Sequence, residues 1–184
     1  MGEAVAGPYP AQGARLILSA RRTPRSWSGL KESCTYPDKI NQDSTLDLTK
    51  NHEAQSWTEP GLVPFCMGLI SLINNGGIGQ FGSVQNTAMA VERKLMEVEF
   101  FGNIALTKAL LPKMLETGKG HILNVASIAG KFGQANLAAY SASTKAAVIL
   151  YYESLYRKRW PTDDIKNTGS KPRLYKNCRY HNLA

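Results

Sequence analysis

Ser127, Tyr140 and Lys145 are the three side chains of this sequence whose types and spacing could do chemistry together. Ser127 follows the apolar run HILNVA (121–126), and 13 residues later Tyr140 opens a helical pattern that carries Lys145. That order suits proton exchange at a carbonyl or alcohol oxygen. A phenol ordinarily titrates near ~10. An ammonium beside a phenol favours its ionised form and lets it serve as general acid or base near neutral pH. A serine hydroxyl can hold the reacting oxygen, and a nicotinamide would supply the hydride. The same spacing also describes a plain helix-start Ser/Tyr cluster with a solvated lysine. On spacing alone that plainer reading is preferred.

The elements that must position these residues alternate. Residues 14–19 (ARLILS), 44–48 (STLDL), 69–73 (LISLI) and 121–126 (HILNVA) are short apolar runs that read as strands. Across 88–116, Leu95, Val98, Ile104, Ala105, Ala109, Leu110 and Met114 recur at helical spacing, closed by Gly118 and Gly120. Residues 138–158 repeat the pattern through Ala146, Ala147, Ile149, Leu150 and Leu155. Apolar strands alternating with helices predict an α/β fold, a parallel sheet covered on both faces. Ligands then bind beyond the C-terminal ends of the strands. Arg21-Arg22, Asp47, Asn74-Asn75 and Ser127 all fall at such ends.

Composition narrows the classes of function. The chain has 184 residues and a formal net charge of +8, with 43% hydrophobic residues, enough for one domain with a core. Residues 157–184 hold eight Lys/Arg against two Asp, whereas 1–156 hold fourteen Lys/Arg against twelve Asp/Glu. The basicity therefore belongs to one end, and a disordered or improvised tail is preferred there over a nucleic-acid surface. Cys34, Cys66 and Cys178 are three widely spaced thiols without a CxxC pair, and the histidines are scattered. No disulfide framework or metal site is expected, and a reducing compartment fits. The expectation is a soluble, cytoplasmic chain, with an endoplasmic reticulum membrane anchor only if an upstream segment is missing.

One motif fails on its context. GIGQFG (77–82) matches G-x-G-x-x-G. A dinucleotide fingerprint should open a helix, with an acidic strand end ~20 residues on. The next strand instead ends at Ser127, 45 residues past Gly82. A structural loop is the expectation.

LINNGG (72–77), FGNIALTKALLPKML (101–115), GHILNVASIAG (120–130) and YSASTKAA (140–147), in that order, resemble the short-chain dehydrogenase/reductase family. With GARLILSARR (13–22) and LDLT…HEA (46–54), the likeness is greatest to its dehydrogenase/reductase member 7 subgroup. The strong part covers 69–156 of a partial domain spanning 1–156. The resemblance implies a Rossmann-like doubly wound parallel sheet. It implies that Ser127 orients the substrate, Tyr140 is the acid/base, and Lys145 binds the nicotinamide ribose and tunes Tyr140. Asp47, Asn74, Asn75 and Gly76 would lie along the adenosine half of the cofactor. Arg21 and Arg22 would hold a 2′-phosphate, favouring NADP(H) over NAD(H), although a solvated strand end explains the pair equally well. The substrate would be a small lipophilic carbonyl or alcohol. Helices at about 90–117 and 140–158 would pair two copies, or this chain with an intact relative.

Four departures bear on that implication. The family's first strand and its glycine-rich phosphate loop are not found in 1–12, and after Arg157 its last strands and substrate cover are absent. Glu99 stands where the family's catalytic tetrad has asparagine, and a carboxylate accepts but does not donate. Tyr-x-x-x-Lys has become Tyr140-Ser-Ala-Ser-Thr144-Lys145, one residue longer. In an unbroken α-helix that puts Lys145 about 140° from Tyr140, rather than about 40°. A one-residue π-bulge would return it. Three outcomes follow: an NAD(P)(H)-dependent oxidoreductase, impaired or not; a non-catalytic partner of an intact relative; or a chain with exposed sheet edges that folds poorly.

Overall fold

The computed structural model describes residues 6, 8–11, 16–21, 40–53, 71–118, 120–142, 147–157 and 165–167. They fall into two compact units, Met1–Leu48 and Thr49–Ala184. In the first, a short helical turn α1 (Pro8–Ala11) precedes β1 (Leu16–Ala20), which pairs in parallel with β2 (Ile40–Thr45). The second strand lies ahead of the 44–48 run that hydrophobicity alone selects. Its sequence, INQDST, is polar and has little strand propensity of its own. Pairing with β1 from Leu16↔Ile40 to Ala20↔Thr45 decides its place.

In the second unit, β3 (Ser71–Asn74), β4 (Gly120–Asn124) and β5 (Ile165–Asn167) form a parallel sheet in the order β3-β4-β5. Side chains alternate along both longer strands, so Leu72 and Asn74 are buried, as are their register partners Ile122 and Asn124. Strand β5 corrects the reading of 157–184 as a stretch without a strand. Three residues, Ile165–Asn167, pair with Gly120–Ile122. A run this short carries no periodicity of its own, and only the ladder identifies it.

The long helical pattern resolves into α2 (Met89–Met96), a π turn (Glu97–Phe101) and α3 (Gly102–Thr117), ending at the left-handed Gly118 with φ 68°. The second pattern is helical at 138–139, π-type at 140–142 and helical again in α4 (Ala147–Arg157). Leu72, Leu110, Met114, Ile122, Val148 and Tyr152 make the core, with Phe100, Leu106, Leu111, Tyr151 and Leu155 packed around it. Gly120 brings β4 close to α3, because a Cβ there would meet Met114 Cβ and Cγ at 2.9 Å. No described helix is long and apolar enough to cross a membrane.

Candidate functional site

Parallel strands end their ladders with chain leaving in the same direction, so the residues beyond β3 and β4 collect at one edge of the sheet. After β3 comes a loop without helix, Asn75 to Ser83. It contains GIGQFG, which opens no helix directly, in keeping with the structural-loop expectation. Asn75 is half-buried, while Gly76 and Gly77 are exposed. A Cβ on Gly79 would meet nothing within 4 Å. Gly82 N–H donates to Asn136 O at 2.8 Å and ties the loop to the one that follows β4.

Beyond β4, Ser127 caps a 3-10 turn (Ile128–Gly130), and its Oγ accepts from Ala129 N–H at 3.3 Å. That contact uses a lone pair and does not consume the hydroxyl's donor capacity. Tyr140 is half-buried and opens the π-type turn at 140–142. The helix thus widens at the point where the sequence carries one residue more than Tyr-x-x-x-Lys. Lys145 itself lies outside the described residues, as does Arg22.

Asn74 is 5% exposed, and its amide faces inward. Its Nδ2 donates to its register partner Asn124 Oδ1 at 2.8 Å and lies 3.2 Å from both Tyr152 Oη and Thr107 Oγ1. Two amide hydrogens can serve two of those three acceptors at once. The Tyr152 and Thr107 hydroxyls are 2.6 Å apart, Thr107 donates to Asn103 O at 2.8 Å, and Asn103 Nδ2 donates to Glu99 O at 2.6 Å. A continuous hydrogen-bonded chain therefore runs from the end of β3 through α4 and α3 to the π turn. Burial, opposed by the hydrogen bonds from Thr107 and Asn74, raises the Tyr152 pKa and holds the phenol protonated.

Glu99 is 1% exposed, and its Oε1 accepts from Ile78 N–H at 2.7 Å. A Cβ on Gly77 would lie 2.6 Å from the same oxygen. Sequence reasoning marked Glu99 but missed Asn103, Thr107 and Tyr152. A signal was present: Glu99, Asn103 and Thr107 recur every four residues, a polar stripe along an otherwise apolar helix face. Among the described residues, no group of three His, Cys, Asp or Glu could hold a metal ion.

In the first unit, Arg21 is exposed just past β1, and Asp47 is half-buried just past β2. The Leu46 N–H to Ala20 O bond, 3.2 Å, extends the pairing to these strand ends.

A family model for short chain dehydrogenases matches residues 1–172. Among curated relatives, a Drosophila melanogaster dehydrogenase/reductase SDR family protein 7-like is 38% identical over 161 residues, 84% of this chain and 48% of that protein. The mouse dehydrogenase/reductase SDR family member 7B is 34% identical over 186 residues, 94% of this chain and 53% of that protein. The chain thus spans about half the length of these relatives. A short-chain dehydrogenase from Streptomyces avermitilis superposes with a TM-score of 0.80 at 34% identity, over 90% of this chain and 59% of its own. The closed form of a serine dehydrogenase complexed with NADP+ gives 0.74 at 25% identity, over 84% and 60%.

Proposed function

The chain belongs to the short-chain dehydrogenase/reductase family, and from that premise we propose an NADP(H)-linked oxidoreductase that interconverts a small lipophilic carbonyl and its alcohol. The observation that supports it is Ser127, held just beyond the end of β4 by Ala129 N–H, a contact in which its oxygen accepts and its hydroxyl keeps its donor capacity. A nicotinamide cofactor, when bound, supplies or takes up the hydride. Ser127 O–H holds the carbonyl oxygen. Tyr140 gives that oxygen its phenolic proton as the carbon is reduced, and takes it back in the reverse direction. Lys145 favours the phenolate and holds the cofactor ribose. Asn75 and Gly76 line the cofactor on the open side of their loop, while the Asn74 side chain stays in the core. The family resemblance assigns the 2′-phosphate to Arg21 and Arg22, so NADPH is preferred to NADH.

Titrating NADPH against the purified chain, followed by a carbonyl-reduction assay, tests this reading. Binding at micromolar concentration is expected. Tyr140→Phe is expected to lower kcat by about 10²–10⁴-fold with NADPH affinity little changed. Arg21→Ala is expected to weaken NADPH and leave NADH unaffected. A cooperative melt without any NADPH binding would sink it.

A second reading rests on the outer face of α4. Leu150 is 63% exposed there, and Phe101, at the end of the π turn, is 45% exposed. Apolar side chains this open on the two long helical segments favour pairing with a second copy or with a full-length relative.

A further inference from the structure

The 75–77 segment of the loop after β3 is bracketed by one buried circuit. At its near end, Asn74 donates into the chain of hydrogen bonds through Tyr152, Thr107 and Asn103 to the Glu99 carbonyl. At its far end, Ile78 N–H donates to the Glu99 carboxylate. Glue of this kind is uncommon, because a carboxylate is costly to bury unless its oxygens are hydrogen-bonded. Here the main chain of Glu99 takes one end of the circuit and its side chain takes the other. The π turn helps to make this possible. By carrying one more residue than an α turn, it changes which side chains of the helix face inward at position 99.

We propose that Glu99 is the positioning residue of the 75–77 loop. Its carboxylate pins the far end through Ile78 N–H, and glycine at 77 is the residue that lets the carboxylate approach. Any Cβ at 77 would stand 2.6 Å from Oε1 and 3.0 Å from Cδ, both belonging to a side chain 1% exposed and held by its neighbours. Charge is not needed for the pin, because a glutamine keeps one acceptor oxygen at the same reach. The circuit adds a longer-range element. The Tyr152 hydroxyl, 78 residues from Asn74 in sequence, helps to hold the near end of the same loop.

The inference rests on the oxidoreductase reading for its consequence, tighter cofactor binding, but not for the pin itself. Amide hydrogen exchange at Ile78, followed by NMR on the full chain without cofactor, reads the pin directly. Glu99→Ala is expected to speed that exchange by about tenfold or more, the loss of one hydrogen bond to a buried acceptor. Glu99→Gln is expected to keep the protection, which separates acceptor from charge. Unchanged Ile78 exchange in Glu99→Ala would overturn the proposal, as would a Glu99→Gln that loses protection as fully as alanine.

A double-mutant cycle covers the case in which one variant folds poorly. Gly77→Ala alone is expected to lower the melting temperature, and Gly77→Ala in the Glu99→Ala background to lower it distinctly less, since the atoms the methyl would meet are gone. Additive shifts would overturn the steric half. In NADPH titrations, Glu99→Ala is expected to bind about tenfold more weakly than Glu99→Gln. If the unaltered chain binds no NADPH, the oxidoreductase reading falls, while the exchange data still decide the pin.

Discussion

Tyr152 shows how much one hydroxyl can organise. Its ring fills the core beside Leu72 and Met114, while its oxygen joins Asn74, Thr107 and Asn103. Tyr152→Phe keeps the packing and leaves buried polar partners short of a hydrogen bond. A loss of about 1–2 kcal/mol in urea unfolding at pH 7 is expected. The pH dependence has a definite sign. Burial raises the folded-state pKa, so the phenol's contribution is fully present below the unfolded value of ~10 and is lost as pH rises beyond it. The gap between wild type and Tyr152→Phe should therefore narrow above pH ~10. A gap constant from pH 7 to 11 would contradict the assignment. Nothing in the sequence marks this tyrosine apart from its neighbour Tyr151, because both sit on a helix of apolar character. What distinguishes them is which one points at the end of β3. The places of Ser127 and Tyr140 in the fold were legible for the opposite reason: each stands where a strand or a helix changes into something else, and such boundaries leave a sequence trace.

At the scale of elements, the helices of the second unit were readable from their period and its two longer strands from their apolar runs, and the exceptions have a common cause. Strands β2 and β5 are set by their partners, so their own residues say little. The π turn at 97–101 hides inside a continuous helical pattern, because one extra residue shifts a 3.6-residue period too little to break it. The π-type turn at 140–142 left a trace only through the lengthened Tyr-to-Lys spacing. Contact between elements is equally specific. Gly120 lets β4 lie against α3, and a Cβ there would sit 2.8 Å from Met114 Sδ and 2.9 Å from its Cβ. Gly120→Ala is expected to destabilise the second unit by about 1–3 kcal/mol. In a Met114→Ala background the same change should cause much less further loss, because the obstructing side chain has been removed. Thermal denaturation of the four proteins completes the comparison, and equal losses in both backgrounds would refute the contact.

At the scale of the whole molecule, the +8 charge and the apolar exposure point in different directions. Most of the charge excess lies in 157–184, beyond the strands and helices that carry the candidate chemistry, so it says little about what binds at the strand ends. The apolar exposure lies on the helices. Leu150 is 63% exposed on α4, although Val148 and Ile149 before it and Tyr152 after it are buried, and Leu115 is 37% exposed near the end of α3. A folded chain that kept such side chains in water would forgo part of the roughly 1.5–3 kcal/mol that full burial of each is worth, and a second copy is the most direct way to recover it. The expected outcome is a dimer in sedimentation velocity at micromolar concentration, with Leu150→Asp shifted to monomer and its far-UV circular dichroism unchanged. A unit that loses secondary structure in Leu150→Asp would instead assign Leu150 to folding. A wild-type chain that sediments as a monomer across that range would remove the pairing altogether. Because Leu150 lies on the exposed face of α4 and Tyr152 on its buried face, the two substitutions test separate properties of one helix: how it meets another molecule, and how it holds the loop beyond β3.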